Sequence, residues 1–232
     1  RELGGAIAAL QPDGVILTPP HSENPLITSF LAATHIPFAR IGSRQEGPGI
    51  AITMGDTANA RLATQHLLDH GHRRIGFVAG PPEFSLANRR IDGWQAAMDE
   101  AGHPTGDLCE RGDFGFETGK QAARKLLALP DRPTALICSS DQMTLAALEV
   151  AREQGIDVPR DLSLVSFDNS PIVRFTDPPL TAVDQPIAAT ASRAVELLID
   201  SRKAPSPDEP VILTGELVVR GSSGPAPARG QR

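Results

Sequence analysis

The chain has 232 residues, 40% of them hydrophobic and 22% charged, with a formal net charge of −6. That composition suits an ordinary globular protein of one large domain or two compact lobes. It holds no basic block to serve as a phosphate-backbone footprint, no apolar run as long as a membrane span, and in Cys109 and Cys138 too few cysteines for a disulfide framework.

The first residues, RELGGAIAAL, read as the inside of a helix, and GVILT (14–18) follows as a short apolar strand. Residues 25–34 then place Leu26, Ile27, Phe30 and Leu31 on one helical face. Strands are predicted at 38–42 and 50–53, and a helix at 57–70 ends at Gly71, where a left-handed cap is needed. RIGFVAG (74–80) is the next strand, before a helix with Ile91, Trp94, Ala97, Met98 and Ala101 on one side. LCERGDF is a weak strand, 116–128 a helix that ends before Pro130, and 135–139 a strand. Asp141 is placed as the cap of a helix bearing Met143, Ala146, Ala147 and Val150, which Gly155 terminates. LSLVSF (162–167) is a buried strand that stops at Asp168-Asn169. After a proline-broken loop and the apolar step 180–183, Pro186 sits in the first turn of a helix striped by Ile187, Ala191, Ala194, Val195 and Leu198. Short strands around Val211–Leu213 and Leu217–Val219 close the pattern.

Strands alternating with helices predict an α/β fold of doubly wound parallel sheets, whose ligands lie beyond the carboxyl ends of the strands. Thr18, Phe114, Ser139-Ser140-Asp141 and Asp168-Asn169 all fall at such ends, and Arg90 joins them from the start of a helix. A carboxylate beside a guanidinium, with one aromatic face, suits a small polyhydroxylated or heterocyclic ligand, because each charged group chelates neighbouring hydroxyls and the ring covers an apolar face. Structural roles remain open to the same residues: Asp141 as a helix cap, Asp168 as the brace of a turn. His66 and His70 at i, i+4, with His72 nearby, have metal-capable spacing. A last-turn imidazole at His70 complementing the helix dipole accounts for them without a metal. Neither a GxGxxG, a GxxxxGK[ST] nor a G-x-S-x-G motif occurs, and no nucleophile–base pair is visible. No catalytic residue, metal site or cofactor is therefore assigned.

The segments DGVILTPP, IPFARIG, HLLDHGHRRIGFVAGPPEFSLANRRIDGW, GDFGFETG, PTALICSSDQMTLAALEVAREQGIDVPRDLSLVSFDNSP and PPLTAVDQP, in this order, resemble the effector-binding domain of LacI/GalR-family transcriptional regulators. The resemblance covers residues 13 to about 220. It implies two lobes similar to periplasmic sugar-binding proteins with the ligand held between them, and chain crossings near 53–55, 182–185 and 204–210. On that pattern the N-lobe is 1–53 with 185–204 and the C-lobe 54–183 with 208–221, while the Gly/Pro/Ala/Arg-rich composition of 222–232 predicts a disordered tail. The resemblance implies that the N-lobe is incomplete, its first strand–helix unit and the helix-turn-helix headpiece of the family pattern having no match in these residues, so an N-terminally truncated regulator is expected.

The resemblance also assigns roles. Arg90, three residues before Gly93, matches the ligand-chelating arginine, Asp168 the ligand carboxylate, Phe114 the stacking aromatic and Gln185 the amide at a crossing. Ser140 falls at a polar contact, and Thr18 and Met54 at N-lobe and crossing positions. Gly42 and Gly55 stand where many members have Asp, with Asp56 one place late. The implied function is a cytoplasmic regulator whose effector is a small molecule of the sugar class. The implied partners are a second copy of the chain and operator DNA, the latter only through the absent headpiece, with no membrane involved. A periplasmic sugar-binding protein of a transporter is the alternative.

Overall fold

The computed structural model describes residues 9–10, 12–43, 47–201 and 209–228. The opening helical stretch therefore falls outside the described residues, apart from positions 9 and 10. The chain divides into two compact units, 1–55 with 186–214 and 56–185 with 215–232.

In the first unit, β1 (Val15–Leu17), β2 (Phe38–Ile41), β3 (Ile50–Thr53) and β9 (Val211–Ile212) form one sheet in that order, every pair parallel. Helix α1 (Pro25–Ala33) starts with Pro25 at its first turn and Asn24 as its cap, the Asn24 side chain accepting from the Leu26 amide at 3.0 Å. Leu31 of α1 packs with Leu17 and Phe38, while Ala39, Ile50 and Ile52 meet Ala194, Leu197 and Leu198 of α6 (Ile187–Asp200). Pro186 precedes α6 as its cap residue, one place outside the first turn expected for it. The pairing of β9 corrects the expected boundary. Val211 and Ile212 were assigned with 208–221 to the C-lobe, but Ile52 pairs with Val211 and Thr53 with Ile212, so these apolar residues extend the first sheet. The third crossing lies at 214/215. Most of the 204–210 stretch expected for it lies outside the described residues.

The second unit carries a six-stranded sheet of order β10-β8-β7-β6-β4-β5, parallel except for β10 (Glu216–Val218), which runs antiparallel to β8. The other strands are β4 (Ile75–Ala79), β5 (Cys109–Arg111), β6 (Ala135–Cys138), β7 (Ser163–Phe167) and β8 (Thr181–Asp184). The central strands are buried on both faces, as continuous apolar runs demand when helices cover both sides. One face holds α2 (Asp56–Asp69) and α3 (Ser85–Glu100), packed through Ala60, Leu67, Ile91, Trp94 and Met98. The other holds α4 (Phe116–Leu127) and α5 (Asp141–Glu153), through Ala122, Leu126, Met143, Ala147 and Val150.

The segment after β10 also differs from expectation. Residues 222–228 were assigned to a disordered tail, yet Ser222 is fully buried. Its hydroxyl donates to the Leu164 carbonyl at 2.7 Å and accepts from the Thr181 amide at 2.8 Å. Gly224 bonds Ser163 through its amide, and its carbonyl lies 3.1 Å from His72 Nε2. Small polar residues supply backbone groups here without bulk, so a composition that reads as disorder serves as a strap. Residues 229–232 lie outside the described set.

Candidate functional site

The carboxyl ends of β5, β4, β6, β7 and β8 converge on one rim of the second unit, and Arg90 is at its centre. It lies in the second turn of α3, and its placement begins with Gly93. A Cβ there would sit 2.2 Å from the Thr57 carbonyl oxygen, so only glycine lets α2 and α3 approach this closely. That approach sets Asp56, the first residue of α2, against Arg90: Nε donates to Asp56 Oδ1 at 3.0 Å, and both side chains are almost wholly buried. Arg89 donates to the second oxygen, Oδ2, at 3.3 Å. Arg90 Nη1 donates to the Ser139 carbonyl at 2.8 Å and Nη2 to Gln185 Oε1 at 3.3 Å. Its guanidinium carbon stands 4.5 Å from the centre of the Phe167 ring, a stacking that adds attraction where water is excluded.

Asp168 stands at the end of β7 in a turn of unusual backbone. Asp168 has φ of 93° and Asn169 of 56°, a region that disfavours side chains and costs on the order of 1–3 kcal/mol per residue. The surroundings hold it. The Asp141 carboxylate accepts from the Ser166 hydroxyl and from the Ser170 amide at 2.7 Å, and Arg220 donates to Asn169 Oδ1 at 2.7 Å. The Gln185 amide nitrogen donates to Asp168 Oδ1. Burial pushes the Asp168 carboxyl above its ordinary value, opposed by the positive charge of Arg90 and by the Gln185 bond.

Ser140 and Phe114 form a second pair. Ser140 is the N-cap of α5. Its hydroxyl accepts from the Met143 amide at 3.1 Å and donates to the Phe114 carbonyl at 2.8 Å. The cap expected at Asp141 is thus one residue earlier, and Asp141 is instead the brace of the Asp168 turn. Phe114 has φ of 69°. Its ring lies over Gly80, at the end of β4, where a Cβ would come within 2.1 Å of it. Phe84 meets the ring edge-on, centroids 5.5 Å apart.

Five of the seven predicted residues, Arg90, Phe114, Ser140, Asp168 and Gln185, are therefore joined by side chain or backbone on this rim. Gln185, expected to open the N-lobe return, is the last residue of the second unit. Thr18, exposed at the end of β1, and Met54, half-buried after β3, belong to the first unit. Sequence reasoning placed Asp56 one position late for the family's Asp and did not make it a site residue, and it missed Gly80, Phe84 and Phe167. Asp56 had a signal: an acidic residue opening a helix immediately after Gly55. The three histidines lie at the opposite end of the sheet. His66 Nε2 is 2.9 Å from Ser223 Oγ, and His70 Nδ1 lies 2.8 Å from the His66 carbonyl. Among the described residues no group of three or more His, Cys, Asp or Glu is arranged to hold a metal ion.

Residues 64–223 match the model of a periplasmic binding protein-like domain. The chain is 37% identical over 204 residues to the HTH-type transcriptional regulator MalR of Streptomyces coelicolor, covering 85% of this chain and 59% of that protein. This chain belongs to the LacI family of transcriptional regulators. The HTH-type transcriptional regulator CelR of Thermobifida fusca is 35% identical over 228 residues, 96% of this chain and 66% of the relative. A solved structure described as a CelR–cellobiose complex superposes with a TM-score of 0.87 at 34% identity, covering 95% of this chain and 69% of that one. The chain thus spans roughly three-fifths of the length of these LacI-family relatives, and the family expected from the sequence is the one the comparisons show.

Proposed function

We propose that the chain is the effector-sensing part of a cytoplasmic LacI-family regulator, and that a sugar is the effector. The observation that carries this reading is the chain of buried Asp56, Arg90 and Gln185 leading to half-buried Asp168 at the carboxyl ends of the strands, beside the half-buried Phe114 ring. It offers donors and a carboxylate to neighbouring hydroxyls, with an aromatic face close by. Cellobiose in the CelR complex supports the sugar class. The proposed contribution of Thr18 and Met54 rests on the family resemblance. The curated relatives are regulators, so a transporter's binding protein is not favoured.

Effector binding is proposed to alter operator affinity of the whole regulator, with a coupling of about 1–3 kcal/mol between the two sites. The regulator is proposed to act as a homodimer, the commonest closed arrangement of like subunits. Titration calorimetry of the chain with cellobiose, maltose and glucose tests the effector reading. Saturable binding of at least one supports it, and no heat from any of them counts against it.

A further inference from the structure

Asp56 was not among the predicted ligand contacts, but it bonds one of them, Arg90. Yet it determines what Arg90 presents. A guanidinium has five N–H donors, and three of those on Arg90 are taken by Asp56, the Ser139 carbonyl and Gln185. The Asp56 carboxylate is 2% exposed and lies between Arg89 and Arg90. Within this bonded network the charges cancel, Arg89, Arg90 and Arg220 against Asp56, Asp141 and Asp168. The further charges at the strand ends, Arg111 and Asp113 at the end of β5 and Arg174 and Asp184 about Arg220, are also of both signs. A ligand that carries a negative charge would meet Asp168 with no surplus positive charge to compensate it, whereas an uncharged polyol loses nothing to this balance.

Resting on the effector reading above, we propose that Asp56 is a positioning and specificity-determining residue: it orients Arg90 and offsets its charge, so that the site takes uncharged sugars and rejects their anionic counterparts. The carboxylate acts through Arg90 and not by touching the ligand. Its removal leaves two adjacent guanidiniums without their shared partner and tips the site towards anions.

The test compares wild type and Asp56→Asn by calorimetry with cellobiose, maltose and glucose, each paired with the uronate in which one –CH2OH is a carboxylate of similar size. Wild type is expected to favour the neutral member of the pair it binds by about a hundredfold, and Asp56→Asn to narrow that ratio by about tenfold or more, the scale on which one neighbouring charge shifts a carboxylate's equilibria. Asp56→Glu, which keeps the charge, is expected to retain the discrimination. A merely structural role would weaken both members of a pair by the same factor, so an unchanged ratio in Asp56→Asn overturns the proposal even when both affinities fall. A wild type that binds uronate as tightly as sugar also overturns it. If Asp56→Asn does not melt cooperatively, Arg89→Gln replaces it. Loss of that positive charge is expected to widen the ratio about tenfold, and an unchanged ratio there is fatal to the proposal. A wild type that binds no sugar of the panel overturns the effector reading, and this assignment with it.

Discussion

Asp168 and Phe114 show how a backbone conformation and a contact together make a side chain available. Both have positive φ, and in both cases the neighbours hold what the residue itself disfavours: Asp141 and Arg220 around the Asp168 turn, Ser140 and Gly80 around Phe114. Asp168→Ala removes a charged acceptor, worth about 1.5–3 kcal/mol in a hydrogen bond, so sugar affinity is expected to fall tenfold or more. Calorimetry checks it, and an unchanged affinity would remove Asp168 from the site. Gly80→Ala is expected to act at one remove. Its methyl group would occupy the space of the Phe114 ring, so affinity falls about tenfold while the protein still melts cooperatively, overpacking of this kind costing about 1–3 kcal/mol. A crystal structure of the variant with the ring unmoved would contradict that account.

At the level of elements, the strap 222–226 is tied to the amino end of the second sheet by histidine. His72 is 1% exposed. Its Nε2 is directed at the Gly224 carbonyl, an acceptor only, so Nε2 carries the proton and Nδ1 accepts from the Thr134 hydroxyl at 2.8 Å. That is the neutral imidazole, and burial above all lowers its pKa from 6.5 to about 4. The unfolded chain takes up the proton near pH 6.5 and the folded one only near 4. Stability is therefore full above about 6.5 and declines as pH falls towards 4, by about 3 kcal/mol at 1.36 kcal/mol per pH unit. Urea denaturation between pH 7.5 and about 4.5 checks the slope, and His72→Gln is expected to flatten it. A slope that survives the substitution would locate the titration elsewhere.

Over the whole molecule, what was legible in the sequence was whatever local pattern determines. The buried strands β4, β6 and β7 stood out as apolar runs, and Arg90 stood at the start of a helix, its ligand role implied by the family resemblance through its place three residues before Gly93. What stayed hidden depended on residues far apart in the chain. Nothing local distinguishes Val211–Ile212 as a partner of β3, or Ser222–Gly224 as a strap, because short strands and small polar residues take their place from neighbours more than from propensity. Asp56 was passed over for a related reason: its partner is 34 positions away. Through that contact and the one to Gln185, Arg90 grips both ends of the stretch 56–185. In polymer terms the guanidinium closes a loop of roughly 130 residues, a closure whose entropy is about 4 kcal/mol and grows only slowly with length. It is a reversible cross-link whose two anchor points loosen in step. Arg90→Lys, lacking the planar fork, is expected to raise backbone hydrogen exchange around residues 56–59 and 184–185 together while β6 and β7 stay protected. Exchange that rises at one end alone would mean that each end is anchored by its own neighbours.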